Sequence, residues 1–215
     1  MERIICLAIG YLFGMFQTSY IIGKIHHMDI RQYGSGNAGT TNALRTLGKK
    51  AGAMTLIGDM LKCVIAILIV DAVFKNRYQE ILPLLGMYTA AGCVLGHNFP
   101  FYLGFRGGKG IAASAGMLLA MDWRVFLICA VIFIGLVAIT RYVSLGSMAA
   151  YVGALTCVIW FGAAGSYGMD FPHTFEMDVI MGLMTALAIY RHRANIYRLL
   201  NGTENKLGAA KTAAK

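Results

Sequence analysis

The chain has 215 residues, 58% of them hydrophobic and only 13% charged, with a mean hydropathy of +0.62. Soluble domains carry about 25% charged residues, so this composition excludes a soluble globular protein and indicates an integral membrane protein. The formal net charge of +9 resides mostly between the apolar runs, as expected for basic cytoplasmic loops, and nothing in its pattern calls for nucleic acid.

Met1-Glu2-Arg3 leads directly into an apolar run containing Tyr11, Phe13 and Phe16. It lacks the basic start and small-residue cleavage site of a signal peptide and is read as a retained first span. In chain order the apolar segments are 4–23, 51–74, 80–97, 109–122, 124–140, 145–164 and 178–191. A span needs about 20 residues to cross a hydrocarbon core of about 30 Å, and the fourth segment is short by that measure. Counting it as a crossing gathers most of the 19 Lys and Arg on one side, including Arg45, Lys109, Arg141 and the C-terminal cluster. Omitting it divides them almost evenly. Cytoplasmic loops collect Lys and Arg, so the sequence predicts an all-α bundle of seven transmembrane helices, N-terminus periplasmic and C-terminus cytoplasmic. One membrane-embedded domain covers 1–206, and 207–215 is read as a disordered tail.

Asp59 and Lys62 fall inside the second span at i, i+3, a pair that neutralises itself within the bundle. Cys6, Cys63, Cys93, Cys129 and Cys157 all lie in apolar runs without metal-ligand spacing, and are read as small buried hydrophobes. No metal site and no cofactor is expected.

The predicted topology sends four polar segments, 31–50, 96–110, 141–147 and 191–206, to the cytoplasmic side. In the second, Gly107, Gly108 and Gly110 carry no side chains, so their amides can approach an anion at the start of the following helix. Lys109 adds a mobile charge and Arg106 a forked donor for phosphate oxygens. His97 and Asn98 are expected to order this loop, and Pro100 to stop the helix before it. In the first segment, Ser35 and the glycines offer polar groups, while Asn37 is expected to cap a short helix that brings Arg45 alongside. Gly34-Ser-Gly-Asn-Ala-Gly39 matches the dinucleotide G-x-G-x-x-G pattern, but no strand precedes it and no β-α-β unit follows, so that reading fails. Lys109 is followed by Gly110, not Ser or Thr, so the second loop is no Walker A motif either.

The third segment places Ser144 and Ser147 near the start of a span, as helix caps or substrate contacts. The fourth continues the last span and sets His192 and Asn195 on one side by i, i+3 spacing. His192 is a candidate base, phosphate donor or solvated residue. An H-x4-D pair, His173 and Asp178, falls in the acidic segment 165–178 away from every basic cluster and is read as chance.

Together Gly34-Ser-Gly-Asn-Ala-Gly-Thr-Thr-Asn-Ala-Leu-Arg45, Gly96-His-Asn-Phe-Pro with Phe105-Arg-Gly-Gly-Lys-Gly110, Arg141-Tyr-Val-Ser-Leu-Gly-Ser147 and His192-Arg-Ala-Asn-Ile-Tyr-Arg-Leu-Leu-Asn-Gly-Thr-Glu204 resemble the signature of the bacterial acyl-phosphate:glycerol-3-phosphate acyltransferases, the PlsY family. The resemblance runs from the first span to about Lys206. Thr40, where the family usually has Ala, and the stretch Ile111-Ala-Ala-Ser-Ala-Gly116 are its departures. It implies a multi-pass enzyme of the bacterial inner (plasma) membrane with its active site facing the cytoplasm. That enzyme moves a fatty acyl group from acyl phosphate to the 1-hydroxyl of sn-glycerol 3-phosphate, giving lysophosphatidic acid and phosphate, the first step of phospholipid synthesis. Carried over by motif, Ser35, Lys109, His192 and Asn195 take catalytic roles. Asn37, Arg45, Gly107, Gly108, Gly110 and one of Ser144 and Ser147 bind substrate. The implied partners are acyl phosphate, glycerol 3-phosphate and membrane lipids, and a functional monomer is compatible with the sequence. The competing class, a transporter or binding protein for a phosphorylated metabolite, ordinarily carries internal repeats and midplane sites. The chain has no repeat, and its cations gather at one face.

Overall fold

The structure, a computed structural model, describes residues 1–208. Among them the regular structure is entirely helical. The ten α-helices are α1 (Glu2–Gly14), α2 (Thr18–Ile25), α3 (Thr40–Leu47), α4 (Lys49–Phe74), α5 (Leu82–Asn98), α6 (Ile111–Met121), α7 (Trp123–Thr140), α8 (Val143–Ala163), α9 (Phe171–Arg191) and α10 (Arg193–Leu200). Four units are long and apolar enough to cross a membrane: α1 with α2 taken as Glu2–Ile25, and α4, α7 and α8. With only 11 residues, α6 rises about 17 Å, too little to cross a bilayer core alone.

The first apolar run is not one helix, because the chain breaks after Gly14 and restarts at Thr18. Carbonyls freed at such a break need donors when water is excluded. Lys62 Nζ supplies them, donating to Gly14 O (3.2 Å) and Phe16 O (2.7 Å) while also pairing with Asp59 Oδ1 (3.0 Å). Thr18 Oγ1 donates to the same Asp59 oxygen (3.0 Å), and Gln17 Nε2 to His97 O (2.8 Å). The intramembrane pair therefore forms as expected and also stitches a broken helix to α5.

Helix α1 lies against α5 at backbone distance. A Cβ on Gly10 or Gly14 would stand 1.9 Å and 2.1 Å from the carbonyls of Thr89 and Cys93, and one on Gly92 or Gly96 would meet those of Leu7 and Tyr11 at 2.1 Å and 2.2 Å. These two small-x-x-x-small pairs let the helices touch without intervening side chains. Behind them the core is rich in methionine, with Met87, Met117, Met177, Met181 and Met184 buried around Leu84 and Val94. Cys6, Cys63, Cys93 and Cys129 are buried free thiols, and Cys157 is half-buried.

The last long helix starts at Phe171 rather than at residue 178. Asp170 caps it, accepting from His173 N (3.1 Å), and Pro172 occupies the first turn. The acid that had suggested a loop is neutralised: Glu176 accepts from Arg3 (2.7 and 2.9 Å) and from Tyr88 (2.6 Å), joining α1, α5 and α9. His173 pairs with Asp170 (2.6 Å), at the opposite end of α9 from His192. Leu207, the first residue of the expected tail, is tied to Arg141, with Leu207 N donating to its carbonyl (2.7 Å). Residues 209–215 lie outside the described residues.

Candidate active site

A single cavity of about 1300 Å³ joins the four polar segments. Its polar end is lined by Ser35, Asn37, Arg45, Gly107, Lys109, Gly110, Ser144, Ser147, His192 and Asn195. Deeper, the wall turns apolar, with Met117, Leu118, Phe126, Phe133, Ile134, Ala154 and Met181. Of the eleven residues carried over as catalytic or substrate-binding, only Gly108 is missing from the wall.

The first segment is organised by a residue that the sequence reading passed over. Asn42, buried within α3, turns back so that its Oδ1 accepts from Ser35 N (2.9 Å) while its Nδ2 donates to Ile30 O and Tyr33 O (both 3.0 Å). That fixes the loop carrying Ser35. The helix cap is Gly39, with no side-chain cap bond, so Asn37 does not take the expected capping role. It borders the cavity instead. Arg45 lies on the same helix, its pKa lowered by burial, and Nη2 reaches Asn205 O at 3.4 Å.

The glycine-rich loop differs from the expected amide cradle. Gly107 N and Gly108 N are committed to the last carbonyls of α5, Asn98 O and His97 O (both 3.1 Å). Their own carbonyls accept from Arg191 Nη2 (3.2 and 2.7 Å). A Cβ on Gly108 would stand 2.1 Å from His97 Nε2 and 2.4 Å from Ala38 O, so glycine there permits close packing of the two loops. Gly110, at φ +81°, turns the chain into α6. The first-turn amides of α6, which have no intrahelical acceptor, lie beside Ile111 and Ala112 at the cavity wall and remain free for an anion.

Lys109 Nζ donates to Asn195 Oδ1. Asn195 Nδ2 donates to Glu204 Oε1 (2.7 Å), which also accepts from Ser144 Oγ (3.0 Å), while Arg198 Nε bonds Glu204 Oε2 (2.7 Å). The donors assign the amide: its oxygen faces the cation and its nitrogen the carboxylate. Burial lowers the Lys109 pKa to about 8, against the raising effect of Glu204. Burial would raise the Glu204 carboxyl, but the hydrogen bonds from Asn195, Arg198 and Ser144 outweigh it and hold the group below its ordinary range. Ser144 thus grips Glu204, and Ser147 Oγ donates to Val143 O within its own helix (2.8 Å), so neither serves as the cap of α8.

His192 is the corner between α9 and α10, and the last span does not simply continue for another turn. The ring is 2% exposed and its Nδ1 lies 2.8 Å from Ala188 O. A carbonyl can only accept, so Nδ1 carries the proton and Nε2 keeps its lone pair. Burial first, then the charge of Lys109, lowers the pKa to about 4. His192 is therefore neutral at physiological pH.

The family model described as glycerol-3-phosphate acyltransferase matches residues 4–202. The chain belongs to that family. It is 49% identical over 210 residues to the glycerol-3-phosphate acyltransferase of Clostridioides difficile (strain 630), covering 97% of each chain. A second relative, from Lactiplantibacillus plantarum, is 40% identical over 209 residues, covering 95% of this chain and 92% of its own. The fold is similar to a crystal structure of PlsY, an integral membrane glycerol 3-phosphate acyltransferase, in its glycerol 3-phosphate form (TM-score 0.82, 34% identity, 97% and 96% of the two chains). The lysophosphatidic acid form of PlsY superposes with a TM-score of 0.80 at 33% identity, over the same shares of the chains. The family match runs through the first three polar segments and into the fourth, stopping just short of Glu204, which the sequence reading had quoted without a role. A lone carboxylate amid Arg198, Lys206 and the motif cations was the signal for it.

Proposed function

We propose that this protein transfers a fatty acyl group from acyl phosphate to the 1-hydroxyl of sn-glycerol 3-phosphate at the cytoplasmic face of a bacterial inner membrane. The observation that carries this reading is one cavity with Arg45, Lys109 and Arg198 at its polar end and an apolar interior behind them. Such a cavity suits a phosphorylated amphiphile beside a small phosphorylated acceptor. Seven crossings, with the N-terminus periplasmic, would put that end in the cytoplasm. Lys109 and the first amides of α6 hold the acyl phosphate; Ser35, Arg45, His192 and Asn195 hold glycerol 3-phosphate.

In the reaction the hydroxyl oxygen attacks the acyl carbon and the bond from that carbon to the phosphate oxygen breaks. The electron pair and the hydroxyl proton depart with the phosphate. A base with a pKa of about 4 removes little of that proton's charge at neutral pH. His192 Nε2 therefore orients the hydroxyl by accepting its hydrogen bond, and a phosphate oxygen takes the proton. Lys109 offsets charge developing on the carbonyl and the leaving group, and the remaining acceleration comes from holding the two substrates in contact.

The test is phosphate release by the detergent-solubilised protein given palmitoyl phosphate and glycerol 3-phosphate, with palmitoyl-CoA as parallel donor and Lys109→Ala as control. Release is expected to require both substrates, to fail with the CoA donor and to fall at least about a hundredfold in the variant. Equal activity of the variant, or silence with acyl phosphate, would overturn the assignment.

A further inference from the structure

The buried pair on α4 reaches beyond the broken helix to the ring of His97, the next-to-last residue of α5. The ammonium of Lys62 has three protons and four acceptors: Gly14 O, Phe16 O, Asp59 Oδ1 and, at 2.8 Å, His97 Nδ1. An ammonium only donates, so Nδ1 accepts and the ring is the neutral tautomer with its proton on Nε2. Asp59 Oδ1, 3.8 Å from Nδ1, balances the ammonium. His192 has the opposite tautomer, with its proton on Nδ1 facing Ala188 O.

His97 is 3% exposed, yet it lines the cavity. Lys62 covers Nδ1, which leaves the Nε2 edge to meet the cavity. That edge lies between two loops. A Cβ on Gly108 would stand 2.1 Å from Nε2 and 2.4 Å from Ala38 O, and the flanking Asn37, Gly39, Gly107 and Lys109 all line the cavity. Among the described residues nothing accepts from Nε2. A buried N–H without an acceptor is costly, and this one opens beside the loop that carries Lys109. A neutral donor there adds a hydrogen bond to a phosphate oxygen without burying a further charge.

We propose that His97 is a further binding residue of the reaction, its Nε2 donating to a phosphate oxygen of the acyl phosphate, and that Lys62 and Asp59 are positioning residues that hold the tautomer. This rests on the acyl-transfer reading above. Glycine at 108 leaves the tip of the ring uncovered, since a side chain there would occupy the same space.

The experiment measures kcat and KM for palmitoyl phosphate and for glycerol 3-phosphate in the detergent-solubilised wild type, His97→Met and His97→Gln, with thermal unfolding of each. Met and Gln are alike in length and shape, but only the Gln amide can donate from near the place of Nε2. Both variants leave Lys62 three oxygens for its three protons. His97→Met is expected to raise the KM for palmitoyl phosphate at least about tenfold, the loss of one hydrogen bond to a charged group, and to leave the KM for glycerol 3-phosphate within about twofold. His97→Gln is expected to recover most of that loss. If His97→Met does not yield folded protein, His97→Asn, whose amide reaches only as far as Nδ1, carries the same expectation. Equal losses in the donating and non-donating variants, no loss in either, or a rise confined to the KM for glycerol 3-phosphate overturns the contact and leaves acyl transfer standing. A wild-type protein that does not turn over palmitoyl phosphate overturns acyl transfer, and the contact with it.

Discussion

At the scale of single residues, the site depends on how one cation is held. Lys109 is fixed by Asn195, and Asn195 by Glu204, so a half-buried ammonium is kept in place without a direct carboxylate partner that would compete with substrate phosphate. With a pKa of about 8, the empty site loses this charge as the pH rises through 8. The value of kcat/KM is expected to fall about tenfold per unit above that point, the slope for loss of one required proton. Lys109→Arg, whose guanidinium stays charged, should remove this limb even while lowering the rate. The sign for stability is the reverse. Between about 8 and the ordinary 10.5 the unfolded chain binds the proton and the empty folded protein does not, so its stability rises with pH across that window. A pH–rate profile of both proteins checks the first expectation, and thermal unfolding of the empty protein checks the second.

At the scale of elements, the broken first helix and the buried pair on α4 are one device. Lys62 bridges Asp59 and the carbonyls of Gly14 and Phe16, and its Nζ lies 2.8 Å from His97 Nδ1. The His97 carbonyl in turn accepts from both Gln17 Nε2 and Gly108 N. Removing one partner of a buried pair leaves an uncompensated charge, so Lys62→Met is expected to destabilise by about 3–5 kcal/mol. The double variant with Asp59→Leu should lose less than the single one, because no buried charge remains. Thermal unfolding in detergent of the two single variants and the double measures this. The apolar runs made α4, α7 and α8 legible to within a few residues. They did not reveal the break at Met15–Gln17 or the early start of α9, because the groups that make those tolerable, Lys62 for the first and Arg3 and Tyr88 for the second, are remote in sequence.

For the whole molecule, α5, α6, α8 and α9 direct their site-bearing ends to the same cavity. The proposed orientation predicts that an impermeant maleimide labels Ser166→Cys in intact cells, and labels Thr203→Cys only after the inner membrane is opened. Both positions are exposed. The native thiols, four buried and one half-buried, give little background. Labelling of Thr203→Cys in intact cells would invert the bundle and with it the cytoplasmic active site.

By itself the sequence determined the solvent, the helical class, the four polar segments and ten of the polar and glycine residues that line the cavity. Those properties follow from composition, apolar run length and short motifs, which neighbouring residues carry. Only the tertiary structure decided that the amides of Gly107 and Gly108 fasten the loop to α5, that Glu204 anchors Asn195, and that Asn42 rather than Asn37 shapes the first loop. Each of these is a hydrogen bond whose direction depends on how the helices pack. Partners as distant in the chain as Lys109 and Asn195, or Ser144 and Glu204, have no local signal that links them.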